Sequence, residues 1–419
     1  MVTRVRNLGR AFQHRNYRLF FAGQSLSLIG TWLTRFATVW MVYRLTGSPV
    51  MLGLVGFFGQ APAAVLAPIA GVLVDRWDRR RTVVITQIAA MLQSAALAVL
   101  ALTGAMTVWH LLALGAVQAV INAFDMVARQ SFLGQIIEDR ADLPNAIALN
   151  SSIVNVARLV GPVVAAVLVD LFGEGTCFAI DAASYLAVIG SLVAMRVTPR
   201  AIPPRRGHVG AELKEGLVYV ARQPLVRPVL LLFAATSVLA GSYTTLLPLF
   251  AGGTLGGGPH TLGTLMAAAG CGALLGALYL ASRTSPRGLG RIIATCAIGL
   301  GAGLVLLEVA HSMLEAVPIL FVIGACLMMQ WTATNTIVQT IVDPDKLGRV
   351  MSLYAVAFFG GAPIGALLEG ELATLVGPVH TFAIAGALCL VLGAGFTRAL
   401  PQLRELPRAV ARERPADRS

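Results

Sequence analysis

The chain has 419 residues, 57% of them hydrophobic and 12% charged, with a mean hydropathy of +0.77. Soluble domains carry about 25% charged residues, so this composition excludes a water-soluble globular protein. The net charge of +12 would point to nucleic acid in a soluble chain, but here it is confined almost entirely to gaps between apolar runs, and no nucleic-acid partner is expected.

Runs of about 20 apolar residues, the length that crosses a bilayer as helix, recur along the whole chain, and only helices satisfy the backbone of runs this long in lipid. Twelve are predicted. The first six cover 19–43, 50–74, 83–103, 109–129, 147–171 and 177–195, and the last six cover 228–250, 262–281, 292–310, 313–334, 350–372 and 381–397. The gaps 104–108 and 311–312 read as tight outer hairpins. The start of the chain is basic and no small-residue cleavage site follows the first run, so no cleaved signal peptide is expected.

If the N-terminus is cytoplasmic, the even-numbered gaps and both tails lie inside and hold 29 of the 32 Lys and Arg residues. The outer gaps hold Arg44 alone, and Arg35 and Arg158 fall within runs. Cytoplasmic loops collect positive charge. The expected setting is therefore a bacterial inner membrane, crossed many times, with both termini cytoplasmic. All five cysteines fall inside runs without metal-ligand spacing, and the histidines are dispersed; no metal or other cofactor is expected.

Between the sixth and seventh runs, PRAIPPRRGH and AELKEGLVYVARQ read as an inner linker with a short amphipathic helix along the membrane surface. The expected domains are a six-helix bundle at 1–199, a linker at 200–227, a second bundle at 228–400 and a cytoplasmic tail at 401–419. The halves look duplicated. Shifted by 204 residues, Gln135, Ile137, Asp139, Leu143 and Leu149 meet Gln339, Ile341, Asp343, Leu347 and Leu353, and Gly161, Leu171 and Gly173 meet Gly365, Leu375 and Gly377. A duplicated six-helix unit is a transporter architecture with its substrate site at the repeat interface. The fold class is thus an all-α integral membrane protein of twelve transmembrane helices in two pseudo-symmetric six-helix bundles.

The gap after the second run reads GVLVDRWDRRRTVV (71–84). Its acid, Asp75, can accept from the open N–H groups of a helix start or pair with Arg76, Arg79 and Arg80. Gly71, one turn earlier, allows another helix to approach. The counterpart in the second half, GALYLASRTSPRGLGRII (276–293), keeps the glycine and arginines but has no acid. The pattern G-x-x-x-D-R-x-x-R-R between helices two and three resembles the signature loop of the major facilitator superfamily, and NAFDMVARQSFLGQ (122–135) is similar to the branch containing the enterobactin exporter and macrolide efflux pumps. The resemblance covers roughly residues 15–397. It implies the major facilitator fold and an Asp75 held against the start of helix 11, opened here by Gly348 and Arg349. That family usually has glycine where this chain has Asp78.

Charges inside a membrane cost about 2.5–3.5 kcal/mol each on insertion scales and are functional candidates by default. Asp125 and Arg129 lie four apart on the fourth run, within pairing distance, and are similar to the family's helix-4 charges that link to the loop arginines, Arg79 or Arg80. The expected inner gate comprises Gly71, Asp75, Arg76, Arg79, Arg80, Asp125 and Arg129; a purely structural ion-pair network is the alternative. Polar stripes at helical spacing mark a substrate and proton pathway: Gln24, Thr31 and Arg35 on run 1, Gln118 and Asn122 on run 4, and Asn155 and Arg158 on run 5. Packing glue is the alternative for their Asn, Ser and Thr. Asp181 in run 6 is expected as counter-charge to Arg158 or Arg35 and as the best proton carrier, since a buried carboxylate can hold a proton at working pH. Trp331 and Asn335 on run 10 are candidate substrate contacts. ARLVGPVVAA (157–166), with Gly161 and Pro162 as helix-packing residues, is similar to the helix-5 antiporter signature of drug exporters, alanines replacing several glycines.

No G-x-x-x-x-G-K-[ST] occurs, so ATP is not expected as a direct energy source, and no catalytic nucleophile or metal set suggests an enzyme. The expected activity is secondary active transport by alternating access. The resemblance implies proton-driven efflux of a small amphipathic compound, a drug or siderophore. The alternatives are uptake, lipid flipping, or a membrane sensor or enzyme on the same scaffold. The expected partners are a small-molecule substrate, protons and membrane lipid, with the protein acting as a monomer.

Overall fold

The computed structural model describes residues 10–398, apart from 75, 138, 197–208, 284 and 286–287. All regular structure among the described residues is helical. In chain order the helices are α1 (Arg15–Thr46), α2 (Pro49–Phe58), α3 (Ala61–Val74), α4 (Arg79–Leu102), α5 (Val108–Ile136), α6 (Leu143–Phe172), α7 (Glu174–Ala194), α8 (Val209–Arg222), α9 (Val226–Ala240), α10 (Pro259–Ala281), α11 (Leu289–Leu306), α12 (Met313–Ile341), α13 (Pro344–Val376) and α14 (Pro378–Thr397). Among the described residues, 11 stretches are long and apolar enough to cross a membrane. The twelfth span is α1, whose apolar character is diluted by Arg18, Arg35 and Arg44. Fold and class are as the hydrophobic runs predict.

Two predicted runs are not single helices. The second, 50–74, is interrupted between α2 and α3, where Pro62 supplies no backbone N–H and Ala63 and Ala64 both donate to the Gln60 carbonyl at 3.1 and 3.3 Å. The seventh, 228–250, stops at Ala240 and continues through a 3-10 turn at Tyr243–Thr245 and a π-helical turn at Phe250–Thr254. Several other helices run past the apolar stretch because polar turns extend them, α5 to Ile136 and α12 to Ile341. The two tight hairpins are closed by side-chain caps: Thr107 with His110, and Ser312 with Glu315, whose carboxylate accepts the N–H of His311 and Ser312 at 2.9 and 3.1 Å.

The chain divides into two compact units, Met1–Arg206 with Gly257–Ala267, and Gly207–Gly256 with Ala268–Ser419. In the first unit an apolar cluster around Tyr17, Phe20, Phe132 and Leu192 underlies the start of α1. Beside it the buried carboxylate of Asp142 gathers His14 Nε2 at 3.1 Å and Arg10 Nε at 3.6 Å. At the other end of α1, Arg44 forks onto Glu174, with bonds of 2.7 and 3.1 Å to its two oxygens. In the second unit a cluster around Val229, Ile293, Val338 and Val350 plays the same part. There the linker helix α8 lies on the start of α13, fastened by Tyr219 donating to Asp343 at 3.0 Å and by Arg349 to Glu215 at 2.6 Å.

The duplication is visible in backbone detail. Gly173 and Gly377, paired by the 204-residue shift, both have positive φ (78° and 89°) and each closes one long helix and opens the next. Gly161 and Gly365, also paired, each bring the fifth helix of a six-helix set onto the first: α6 onto α1 at Trp32, and α13 onto α9 at Val238.

Candidate functional site

The turn 71–84 builds one end of the site. Asp78 caps α4, its carboxylate accepting the N–H of Arg81 at 2.7 Å. The residue that departs from the family pattern therefore starts a helix, a role its type favours. Arg80 donates from Nε and Nη2 to the Leu192 carbonyl at 3.1 and 2.8 Å, and from Nη2 to that of Val193 at 3.1 Å. It closes the C-terminal end of α7, where open carbonyls and the helix dipole favour a cation. Arg79 is buried and Arg76 is exposed. Asp75 lies outside the described residues. A Cβ on Gly71 would meet no described atom of this unit within 4 Å.

Asp125 is 6% exposed and fully engaged. Its Oδ1 accepts from Thr86 Oγ1 at 2.9 Å and Gln87 Nε2 at 2.8 Å, both on α4, and its Oδ2 pairs with Arg129. The i,i+4 pair predicted from sequence is present. An Asp125–Arg80 link is not, because Arg80 is taken up by α7.

Deeper in the first unit, α1 carries Gln24, buried, then Thr31, half-buried, then Arg35, exposed. An arginine exposed at mid-span is tolerated where it faces water or a ligand rather than lipid. Asp181 on α7 is 2% exposed, and its Oδ2 accepts from Thr34 on α1 and Ser94 on α4, each at 2.8 Å. Its Oδ1 has no hydrogen-bond partner. Gly30 makes room for this carboxylate, since a Cβ there would fall 2.6 Å from Oδ1. Among the described residues no ion pair joins Asp181 to Arg35 or Arg158, and two hydroxyls from two helices hold the acid.

Both arginines lie over one indole. Arg35 Cζ is 5.1 Å and Arg158 Cζ 6.0 Å from the Trp32 ring centroid. A guanidinium on an aromatic face is attracted by the ring quadrupole. Trp32 was not singled out by sequence; its place three residues before Arg35 on the polar face was the available signal. Pro162, next to Gly161, turns its carbonyl toward Gly263, where a Cβ would stand 3.1 Å away. Gln118 and Asn122 bond each other along α5 at 3.0 Å, and Asn155 donates back to Ser151 within α6 at 2.9 Å.

In the second unit Trp331 stands edge-on to Phe358, with centroids 4.7 Å apart, and Phe233 stacks on Tyr354 at 4.4 Å. These four rings from α9, α12 and α13 form one aromatic group, of which sequence reading found only Trp331. Asn335 accepts from Gln339 at 2.6 Å. Glu369, a buried acid on α13, was also missed; the run LLEGEL places it near a helix end, where acids are common.

Residues 10–415 match the family described as transmembrane secretion effector. The chain is 25% identical over 380 residues to the staphyloferrin A transporter of Staphylococcus aureus, covering 90% of this chain and 94% of that protein. It is 27% identical over 390 residues to the multidrug efflux pump Tap of Mycolicibacterium fortuitum, covering 90% and 93%. It is also 23% identical over 397 residues to macrolide efflux protein A of Streptococcus pyogenes, covering 91% and 96%. Among solved structures, a bacterial homologue of the lysosomal transporter Spinster has a TM-score of 0.71 at 15% identity, covering 93% of this chain and 97% of that one. The nucleoside transporter NupG has 0.68 at 12%, covering 92% and 99%. Family, helix architecture and repeat agree: the chain belongs to the transmembrane secretion effector family of the major facilitator superfamily, and is a multi-pass bacterial membrane transporter rather than an enzyme.

Proposed function

We propose that this transporter exports a small amphipathic compound, a drug or siderophore, in exchange for protons, by alternating access of its two halves. The observation that carries the reading is Asp181. It is buried and held by hydroxyls, with no ion pair among the described residues, and its Oδ1 is open to a proton while Oδ2 keeps the bonds from Thr34 and Ser94. An ionised acid in a membrane span carries an insertion cost, and a proton removes it. The arginines over Trp32, and the aromatic group around Trp331, are the substrate contacts in this reading. Relatives whose names describe multidrug and macrolide efflux support the direction.

The gate belongs to the same proposal. Asp75, Arg76, Arg79, Asp125 and Arg129 act at the arginine-bearing end of the first unit, and the lopsided arginine distribution supports a cytoplasmic location for that end. The test is accumulation of fluorescent lipophilic cations and macrolides in cells expressing the chain, with and without a protonophore. Lower accumulation that a protonophore restores, and that Asp75→Asn lacks, is the expected result. Protonophore-insensitive export would remove the proton from the scheme, and wild-type export by the variant would remove Asp75 from the gate.

A further inference from the structure

The second unit holds a carboxylate that the scheme above does not use. Glu369 lies near the Val376 end of α13 and is 6% exposed, and its Oε2 has no hydrogen-bond partner. Two buried hydroxyls that also lack a hydrogen-bond partner face the same stretch of α13, Ser242 one turn and Ser237 two turns before Glu369. Ser237 is on α9 and 1% exposed; Ser242 is 3% exposed, in the first turn after α9 stops at Ala240. The Ser242 hydroxyl lies against Gly365, one turn before Glu369. Two glycines allow α13 to come this near. A Cβ on Gly361 would fall 2.6 Å from that of Ser237. On Gly365, one turn before Glu369, it would fall 2.0 Å from the Val238 carbonyl oxygen and 2.5 Å from Ser242 Oγ.

Among the described residues, the surroundings are poor in positive charge. Because α9 ends here, its last carbonyls lack the N–H groups of a following turn and form the negative end of the helix dipole. The titratable neighbours, Tyr243 in the turn and Cys389 on α14, are neutral at neutral pH. Glu371 is exposed on another face of α13, and Glu308 stands 3.6 Å from His380 where α14 begins. Lys346 and Arg349 open α13, about 30 Å away at 1.5 Å per residue, and Arg227 and Arg291 likewise sit in the first turns of α9 and α11. An ionised acid in this position needs a cation brought to it, or else must keep its proton.

We propose that Glu369, Ser242 and the Val238 carbonyl form a binding site for a small monovalent cation, a proton or a sodium ion. All the donors are oxygens, which suit a hard cation, and a single carboxylate balances a single positive charge. An interrupted membrane helix whose open carbonyls face an ion is a general way of building such sites in transporters. Binding here depends neither on the direction of transport nor on Asp181, which lies in the other unit.

The test uses the full chain purified in detergent. Unfolding temperature is followed at fixed ionic strength as sodium chloride replaces choline chloride, and infrared difference spectra are recorded between alkaline and acid pH. For a sodium site, the unfolding temperature of the wild type rises with the logarithm of sodium concentration, Glu369→Gln abolishes the rise, and Ser242→Ala needs several-fold more sodium for the same rise. For a proton site, sodium does nothing, and a titrating carboxylic-acid band disappears in Glu369→Gln while persisting in Asp181→Asn. Absence of a sodium response, with identical acid spectra in wild type and Glu369→Gln, overturns the proposal. If Glu369→Gln fails to fold, Glu369→Asp and Ser242→Ala replace it; both keep an acid, and a sodium response and carboxyl band unmoved in both overturn it equally. Loss of the Asp181 band alone would bear on proton exchange in the first unit and leave this site standing.

Discussion

Trp32 rests on Gly161. A Cβ at position 161 would stand 2.3 Å from the Cβ of Trp32 and 3.3 Å from its Cγ. The missing side chain on α6 therefore seats the indole over which Arg35 and Arg158 both lie.

Gly161→Ala forces α1 and α6 apart, and overpacking of this kind costs about 1–3 kcal/mol. The expected result is a lower unfolding temperature of the purified protein. Because the clash is with the Cβ, Trp32→Ala in the same chain should not relieve it. Trp32→Gly should, less the roughly 1 kcal/mol that glycine costs inside a helix. Equal rescue by both would show that the ring, not the backbone approach, sets the spacing.

Asp181→Asn keeps the size of the side chain and an oxygen for Thr34 and Ser94. It should leave the unfolding temperature within about 1 kcal/mol of wild type, since the neutral amide needs no cation. Under the proposed exchange, the variant loses the pH dependence of export measured in proteoliposomes with an imposed proton gradient. Unchanged coupling would assign the proton elsewhere.

Arg80→Ala strips three hydrogen bonds from the end of α7. Bonds from charged donors are worth about 1.5–3 kcal/mol in favourable cases, so a loss of about 1–3 kcal/mol is expected in denaturant unfolding. Arg80→Lys should recover only part of it, because lysine restores the charge at the helix end but not the fork that reaches two carbonyls. Full recovery by lysine would reduce the role to the helix dipole alone.

The Asp125–Arg129 pair, with the acid buried and the arginine half-buried, makes a sharper case. Removing one member of a fully buried pair costs about 3–5 kcal/mol, and the solvent that reaches Arg129 places this pair below that range. Arg129→Ala should cost less than Asp125→Ala, since Thr86 and Gln87 still serve the carboxylate in the first variant and both lose their acceptor in the second. The double variant should cost well under the sum, and a coupling energy near zero in the mutant cycle would remove the pair from the core of the unit.

Local patterns in the chain announced most of this architecture. Long apolar runs gave the spans, and the i,i+4 spacing gave Asp125 with Arg129. The polar faces carrying Arg35 and Arg158 were readable because helical period is a property of one segment. What stayed hidden depends on two or three segments at once. Thr34 and Ser94, on different helices, replace an arginine as partners of Asp181, and no spacing within run 6 records that. The break after Ala240 has only Gly241 and two serines to mark it, a weak signal in a chain with 43 glycines. Glu369 matters only because that break faces it. Asp78 could have been read as an N-cap, since an Asp immediately before a basic helical turn is a known start signal.

The paired glycines Gly161 and Gly365 have an ancestral consequence. They mark one crossing, copied when the six-helix unit duplicated, and the copies have since diverged to opposite charge. The α1–α6 crossing now bears two arginines over an indole, whereas the α9–α13 crossing bears serines and an acid. The halves are therefore no longer interchangeable parts. A chain spliced from two copies of the first half would still find its helix crossings, but it would carry four of these arginines and no Glu369.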